Sequence, residues 1–125
     1  MKNKLSPHVT IYKFPIAALT SITTRATGLY FSGLFVVYGN ISLFTNINIK
    51  EKYQNISSFY QSLFNYSFIF PMQYHSLSGI RHFIWDKYPT LLTNVKVAKS
   101  SYILIGGSLV STYITEKYID IATLL

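Results

Sequence analysis

Hydrophobic residues run along this chain in three long stretches, which short polar segments separate. Residues 26–49 and residues 53–80 contain no Lys, Arg, Asp or Glu, so each stretch is longer than the about 20 mainly apolar residues that cross a bilayer. The third stretch, residues 97–118, carries charges only near its ends. The pattern predicts an all-α membrane protein with three transmembrane helices, at about residues 22–47, 56–86 and 97–119.

The segment before the first helix has the composition of extended chain. Pro7 and Pro15 both disfavour helix in this segment, and Thr20 or Ser21 is a suitable N-cap for the helix that follows. The 125 residues leave no room for a second domain. We therefore expect a single membrane-anchor domain over residues 1–125, with the extended N-terminal segment on the matrix or cytoplasmic side.

Small residues recur at helical spacing on two of the predicted helices. Such residues let helices approach each other closely in lipid, so each row marks an expected packing face. The two rows are Ser21, Arg25, Gly28 and Ser32 on the first helix, and Gly107, Ser111 and Thr115 on the third.

Basic residues flank the apolar stretches unequally. Of the 11 Lys and Arg residues, eight precede the first stretch, lie between the second and the third, or lie at the start of the third. This bias predicts that the N-terminus and the second connection face the matrix or cytoplasm, and that the C-terminus lies opposite. The net charge of +7 is thus explained by membrane topology, and no nucleic-acid partner is expected.

The chain contains no cysteine. Disulfides, thiolate-bound iron–sulfur clusters and cysteine nucleophiles are therefore excluded within it. Its richness in Ile, Asn, Lys, Tyr and Phe is typical of an AT-rich coding genome. A mitochondrial genome, and hence the mitochondrial inner membrane, fits this composition, and the inner membrane of an AT-rich bacterium fits it equally.

His75 lies inside the second apolar stretch, where an ionisable side chain is costly and is usually functional. One interpretation is a histidine that hydrogen-bonds between helices. The other is an axial haem ligand, because neutral imidazole binds iron and Gly79, one turn on, leaves room for a flat macrocycle. Arg81 and His82 follow near the helix end, where they could meet haem propionates.

The spacing of the histidines restricts a haem model. His75 and His82 are seven residues apart, about 10 Å along one helix face, so they cannot bind one iron from opposite sides. His8 lies in the polar N-terminal segment. A haem with two histidine ligands therefore needs the second from another chain, which predicts a partner subunit.

Ser21 and Arg25 lie one turn apart at the start of the first helix. They could simply be an N-cap and an arginine that reaches lipid phosphates. Alternatively, their hydroxyl and guanidinium groups could hydrogen-bond a small carbonyl such as a quinone oxygen. The predicted topology favours this second interpretation, because it places the end of the second helix, with Arg81 and His82, on the same side.

Three motifs resemble the cytochrome b large anchor subunit of succinate dehydrogenase, respiratory complex II. They are residues 6–13 (SPHVTIYK), residues 21–28 (SITTRATG), and residues 74–86, which contain Tyr-His, Gly-Ile-Arg-His and Trp-Asp. Their order and the three-helix layout also agree with that family. Trp85 and Asp86, which could merely anchor the helix end, could then face a peripheral subunit.

The resemblance implies a non-catalytic subunit of an enzyme complex. In that family the chain pairs with a small membrane-anchor subunit, and together they hold an iron–sulfur subunit and a flavoprotein subunit. Electrons from succinate reach ubiquinone through these partners. Such a chain contributes the quinone site and not the succinate chemistry, and its sequence does not set the direction of the succinate–fumarate couple.

Carried over by motif, the resemblance also implies residue roles. His75 is the expected axial ligand of a haem b that is shared with the partner, and Arg81 and His82 are expected near its propionates. The expected ubiquinone-site residues are Ser21 and Arg25, with Phe14 and Ile22 lining the pocket. The sequence departs from the family at Thr24, where a histidine is usual.

Two alternatives remain at this point. The chain could be a purely structural anchor of the complex without haem. It could also be a small transporter or channel subunit, which requires polar groups along a continuous path. Because the polar groups of this chain cluster at one side, the transporter is the least favoured.

Overall fold

The computed structural model describes residues 14–118, and the regular structure in this part is entirely helical. The elements in chain order are α1 (Ile16–Phe44), α2 (Ile49–Gln54), α3 (Ser58–Lys87), a short 3-10 turn (Pro89–Leu91) and α4 (Asn94–Tyr118). The three long helices match the three predicted ones to within a few residues at most ends. The predicted extended segment lies, apart from its last two residues, outside the described part.

The first helix begins six residues earlier than predicted. Pro15 is its N-cap in an extended conformation, and the Pro15 carbonyl accepts the backbone N–H groups of Ala18 and Leu19. Proline suits this place because a helix start needs no N–H donor there. The prediction of Thr20 or Ser21 as N-cap is therefore wrong, and the Thr20 hydroxyl instead donates to the Ala17 carbonyl at 3.0 Å.

A short helix, α2, occupies the connection that we predicted to be a polar loop. The Asn48 side chain caps it by accepting the backbone N–H of Glu51 at 3.2 Å. Asn followed three residues later by Glu is a helix-start pattern, so the sequence did contain this signal. The Gln61 side chain then donates to the carbonyls of Tyr53 and Ile56, both at 3.1 Å, which fixes the turn into α3.

Among the described helices, α1 alone is long and apolar enough to count as a membrane span by length and composition. Helices α3 and α4 have 30 and 25 residues but carry many Ser, Thr, Tyr, Asn and Gln residues. The all-helical fold is thus confirmed. The second and third spans stay a prediction.

Helix α3 packs against both α1 and α4, and small hydroxyl residues fill the interfaces. The most buried side chains are Thr20, Tyr74, Ser78, Ser101 and Ser108. Most large apolar side chains point outward, and Leu29 on α1 is 76% exposed, whereas Ile69 and Leu104 are buried. This distribution is typical of helices that face lipid or a partner, because small residues allow close approach where burial of large ones brings no advantage.

The packing face of α4 lies one position along from the predicted row. Its buried residues are Ser101, Leu104, Ser108 and Thr112, whereas Gly107 is exposed. The Ser108 and Thr112 hydroxyls donate to the carbonyls of Ile105 and Ser108 within α4, at 2.8 and 2.7 Å. Because their polar atoms are satisfied inside the helix, these residues pack like small apolar ones.

We predict that Ser108→Leu destabilises the bundle, because the Ser108 side chain has no exposed surface and a leucine must push α3 and α4 apart. Overpacking of this kind lowers the free energy of unfolding by about 1–3 kcal/mol. Thermal unfolding in detergent measures the effect. The matched control is Ser42→Leu at an exposed position in the last turns of α1, and equal shifts in both variants would contradict this packing.

Candidate functional site

His75 lies on α3 with its imidazole against α1. Its Nδ1 atom is 3.0 Å from the main-chain carbonyl oxygen of Thr24. A carbonyl oxygen can only accept, so Nδ1 carries the proton and donates it to this bond. In a neutral imidazole with this tautomer the other ring nitrogen, Nε2, has the lone pair that a metal ion binds.

A second contact holds the same nitrogen. The Thr27 hydroxyl is 3.3 Å from His75 Nδ1, and this hydroxyl is 2.9 Å from the carbonyls of Thr23 and Thr24 in its own helix. Because the Thr27 hydroxyl donates within α1, its oxygen accepts from the imidazole. Both contacts hold the Nδ1 side of the ring, and the His75 side chain as a whole is exposed.

Space next to His75 is available on α3 itself. A Cβ atom added at Gly79 meets no atom within 4 Å, which agrees with the room expected there for a planar group. Within the described residues no group of three His, Cys, Asp or Glu side chains could hold a metal ion.

The two residues predicted near the propionates lie in different environments. His82 is exposed and contacts Trp85 edge to face, with ring centroids 5.2 Å apart. Arg81 is 9% exposed, and its guanidinium carbon lies 4.5 Å from the Trp85 ring centroid. The exposed side of α3 thus carries His75 and His82, while Arg81 points into the centre of the bundle.

Arg81 belongs to a polar cluster that joins the three long helices. Its Nη1 atom donates to the Ser101 hydroxyl at 3.1 Å, and the Thr20 hydroxyl lies 3.1 Å from the same oxygen. The Tyr74 hydroxyl donates to the Thr20 carbonyl at 3.0 Å. Arg81 Nε is buried without a hydrogen-bond partner in the described part of the chain. The bond from Nη1 to Ser101 must therefore offset much of the free energy that it costs to bury the guanidinium.

Thr24, where the resembled family usually has histidine, is turned between α1 and α3. Its hydroxyl donates to the Thr20 carbonyl at 2.8 Å and lies 2.7 Å from the Ser78 hydroxyl. The side chain at this position therefore closes the helix interface, while its main-chain carbonyl orients His75.

The predicted quinone residues lie within 12 positions of the chain, Phe14 just before α1 and the other three in its first turns. Arg25 is exposed, Ser21 is half-buried, and Phe14 and Ile22 are 51% and 52% exposed. Ser21, Arg25 and Gly28 share one helix face, and Gly28 lies beside the His75 ring. Arg25 and Ser21 thus lie about one and two turns before Gly28, the residue beside the His75 ring.

Sequence reasoning missed the two groups that hold the imidazole, the Thr24 carbonyl and the Thr27 hydroxyl. The available signal was the spacing of Thr20, Thr24 and Thr27, which puts three hydroxyls on one face of α1. We had placed the neighbouring row, which contains Ser21 and Arg25, at the packing interface.

A groove elsewhere on the bundle contains none of these residues. It has a volume of about 410 Å³ and lies between α3 and α4, lined by Leu63, Tyr66, Ser67, Phe70, Leu109 and Thr112. Its lining is almost entirely apolar.

The fold is a helical bundle whose most apolar helix is long enough to span a membrane, and two exposed histidines, His75 and His82, lie on one side of α3. Residues 1–115 match the succinate dehydrogenase/fumarate reductase transmembrane subunit family, and the chain belongs to that family.

Curated relatives agree with this membership. The chain is 32% identical over 104 residues to the mitochondrial succinate dehydrogenase cytochrome b560 subunit of Dictyostelium discoideum, which covers 81% of this chain and 54% of the relative. It is 35% identical over 89 residues to the mouse protein of that name, and this match covers 66% of this chain and 52% of the mouse protein. It is 31% identical over 114 residues to the cytochrome b556 subunit of Paracoccus denitrificans, covering 89% and 87%. The chain thus spans about half the length of these mitochondrial relatives.

We predict that Ser101→Ala destabilises the chain by about 1–3 kcal/mol, because it leaves the buried Arg81 with one partner fewer. Ser100→Ala is the matched control, since Ser100 bonds only the Val97 carbonyl of its own helix. Thermal or urea unfolding in detergent measures both variants. A Ser101 variant as stable as the Ser100 variant would show that the polar cluster does not hold the helices together.

Proposed function

We propose that this chain is the cytochrome b membrane-anchor subunit of succinate:ubiquinone oxidoreductase. In this role it provides one axial ligand for haem b, contributes to the ubiquinone-reduction site and docks the iron–sulfur and flavoprotein subunits. The observation that carries the proposal is the environment of His75: Nδ1 is bonded to the Thr24 carbonyl, Nε2 has no hydrogen-bond partner among the described residues, and the side chain is exposed.

The donor set fits a b-type haem. A neutral imidazole whose second nitrogen donates to a carbonyl is a suitable iron ligand, and Gly79 leaves open space beside it. When bound, the haem supplies reversible one-electron chemistry. The residues of this chain orient the ligand: the Thr24 carbonyl and the Thr27 hydroxyl fix the tautomer and the ring plane, and His82 lies on the same exposed side of α3.

The second axial ligand comes from a partner chain in this proposal. His82 is about 10 Å from His75 along α3, too far to reach the same iron. His75 is exposed at the edge of the bundle, and large apolar side chains cover the outer surface of α1. Both features fit a small membrane-anchor subunit that packs here and shares the haem.

Ser21 and Arg25 are the proposed ubiquinone contacts. The serine hydroxyl and the guanidinium can each donate a hydrogen bond to a quinone carbonyl oxygen, and the guanidinium carries a positive charge. It therefore favours electron transfer to the quinone, because negative charge develops on that oxygen. Phe14 and Ile22, each about half exposed, offer apolar surface for the ring.

The proposed topology places all three long helices across the inner membrane. Helix α1 satisfies the requirements of a span, and the positive-inside bias puts its beginning, with Ser21 and Arg25, on the matrix side. Mitochondrial relatives favour the mitochondrial inner membrane, and the Paracoccus relative keeps a bacterial inner membrane as the alternative. The iron–sulfur and flavoprotein subunits then dock on the matrix or cytoplasmic face.

We predict that His75→Ala removes the b-type signal from a dithionite-reduced minus oxidised visible spectrum of the purified complex, because no other described histidine can take its place. His82→Ala is the control: its ring contacts Trp85 and can at most touch the propionates, so most of the signal should remain. Wild-type complex without any b-type signal would instead support the alternative of a purely structural anchor.

We predict that Arg25→Ala lowers the rate of ubiquinone reduction about 10-fold or more, because a charge-assisted hydrogen bond contributes about 1.5–3 kcal/mol. Succinate oxidation with a soluble artificial acceptor should remain at the wild-type rate. Lys99→Ala, which removes an exposed charge on α4, is the control. Equal loss of both activities in the Arg25 variant would assign the arginine to assembly.

A further inference from the structure

We propose that Gly28 is a positioning residue that sets the place of the His75 imidazole by leaving room for it. A Cβ atom added at Gly28 would lie 2.9 Å from Cε1, 3.5 Å from Nδ1 and 3.8 Å from Nε2 of His75. All three are ring atoms, so the imidazole occupies the space that any other side chain at position 28 would need. The inference rests on the proposed role of His75.

Space, and not backbone conformation, is what requires glycine at this position. No glycine in the chain has a positive φ, so an L-residue could adopt the backbone geometry of Gly28. Glycine is also less favourable than alanine inside a helix, and Gly28 lies in the middle of α1. Glycine at position 28 thus makes α1 less stable than alanine would. In return it lets the His75 ring pack directly against the helix backbone.

The other glycines do not share this property. A Cβ atom at Gly33, Gly39, Gly79 or Gly106 meets nothing within 4 Å, and one at Gly107 meets only Leu77 at 3.9 Å, an ordinary contact. Gly28 is therefore the one glycine at which a methyl group must displace another side chain.

The displaced ring would lose its alignment with α1. His75 Nδ1 donates to the Thr24 carbonyl and contacts Thr27, and Gly28 completes the same turn of the helix. A methyl group on this turn forces the imidazole outward and stretches the bond that fixes its tautomer. Groups that orient a metal-binding histidine typically change metal affinity by 10–100-fold when they are altered.

The first experiment compares Gly28→Ala with Gly33→Ala in the assembled complex. Haem per flavin, the low-spin ferric EPR spectrum and the midpoint potential are measured for each variant. We expect Gly28→Ala to shift the EPR g-values and to weaken haem retention about 10-fold, while Gly33→Ala matches the wild type. A Gly28 variant with wild-type haem content, spectrum and potential overturns the inference.

A double-mutant cycle tests the contact without relying on haem spectroscopy. Gly28→Ala is made in the wild-type and His75→Ala backgrounds, and the thermal unfolding of the purified chain in detergent is compared. We expect a lowered midpoint only where the imidazole is present, because its removal frees the space. The same decrease in both backgrounds means that Gly28 acts on other neighbours and overturns the inference.

The two experiments separate failure of the inference from failure of the proposed function. If wild-type complex contains no haem, or retains it in His75→Ala, the proposed role of His75 fails. The cycle still reports whether Gly28 and His75 are in contact.

Discussion

The hydrogen bond from His75 Nδ1 to the Thr24 carbonyl is the interaction on which the site depends. It joins a side chain of α3 to the backbone of α1 and leaves Nε2 as the available nitrogen. A main-chain carbonyl can accept this bond only if the two helices pack closely there. The hydroxyl pair Thr24–Ser78, whose oxygens are 2.7 Å apart, marks that close approach. The orientation of the imidazole therefore depends on the close packing of small residues between α1 and α3.

The need for close approach between helices also explains why small hydroxyl residues make up much of the core. Where large apolar side chains gain nothing from leaving lipid, helices associate through small residues and short polar contacts. Ser101 illustrates this, because its hydroxyl contacts Thr20 on α1 and Arg81 on α3 while donating to its own helix. Apart from Ile69, Tyr74 and Leu104, the large apolar side chains lie on the outside, where a partner subunit or lipid can cover them.

The roles of His75, Ser21 and Arg25 stay predictions, whereas the structure confirms the three long helices that the sequence predicted. Hydropathy and charge were sufficient for these, because they depend on periodicity over many residues. The observed packing faces of α1 and α4 are each shifted by one residue from the predicted ones. The residues that pack are threonines and serines next to the rows of small or polar residues that we predicted. Arg81 also could not be placed from sequence: its direction depends on Ser101, which lies on another helix. Only the packed structure revealed that the His75 ring occupies the space above Gly28.

The most direct test of this account is a cryo-EM structure of the assembled complex in lipid. The account predicts a haem iron bonded to His75 Nε2, with Nδ1 on the Thr24 carbonyl and the second ligand from a partner subunit. A haem held by other residues, or a His75 ring turned away from α1 with Nε2 bonded inside this chain, would contradict it.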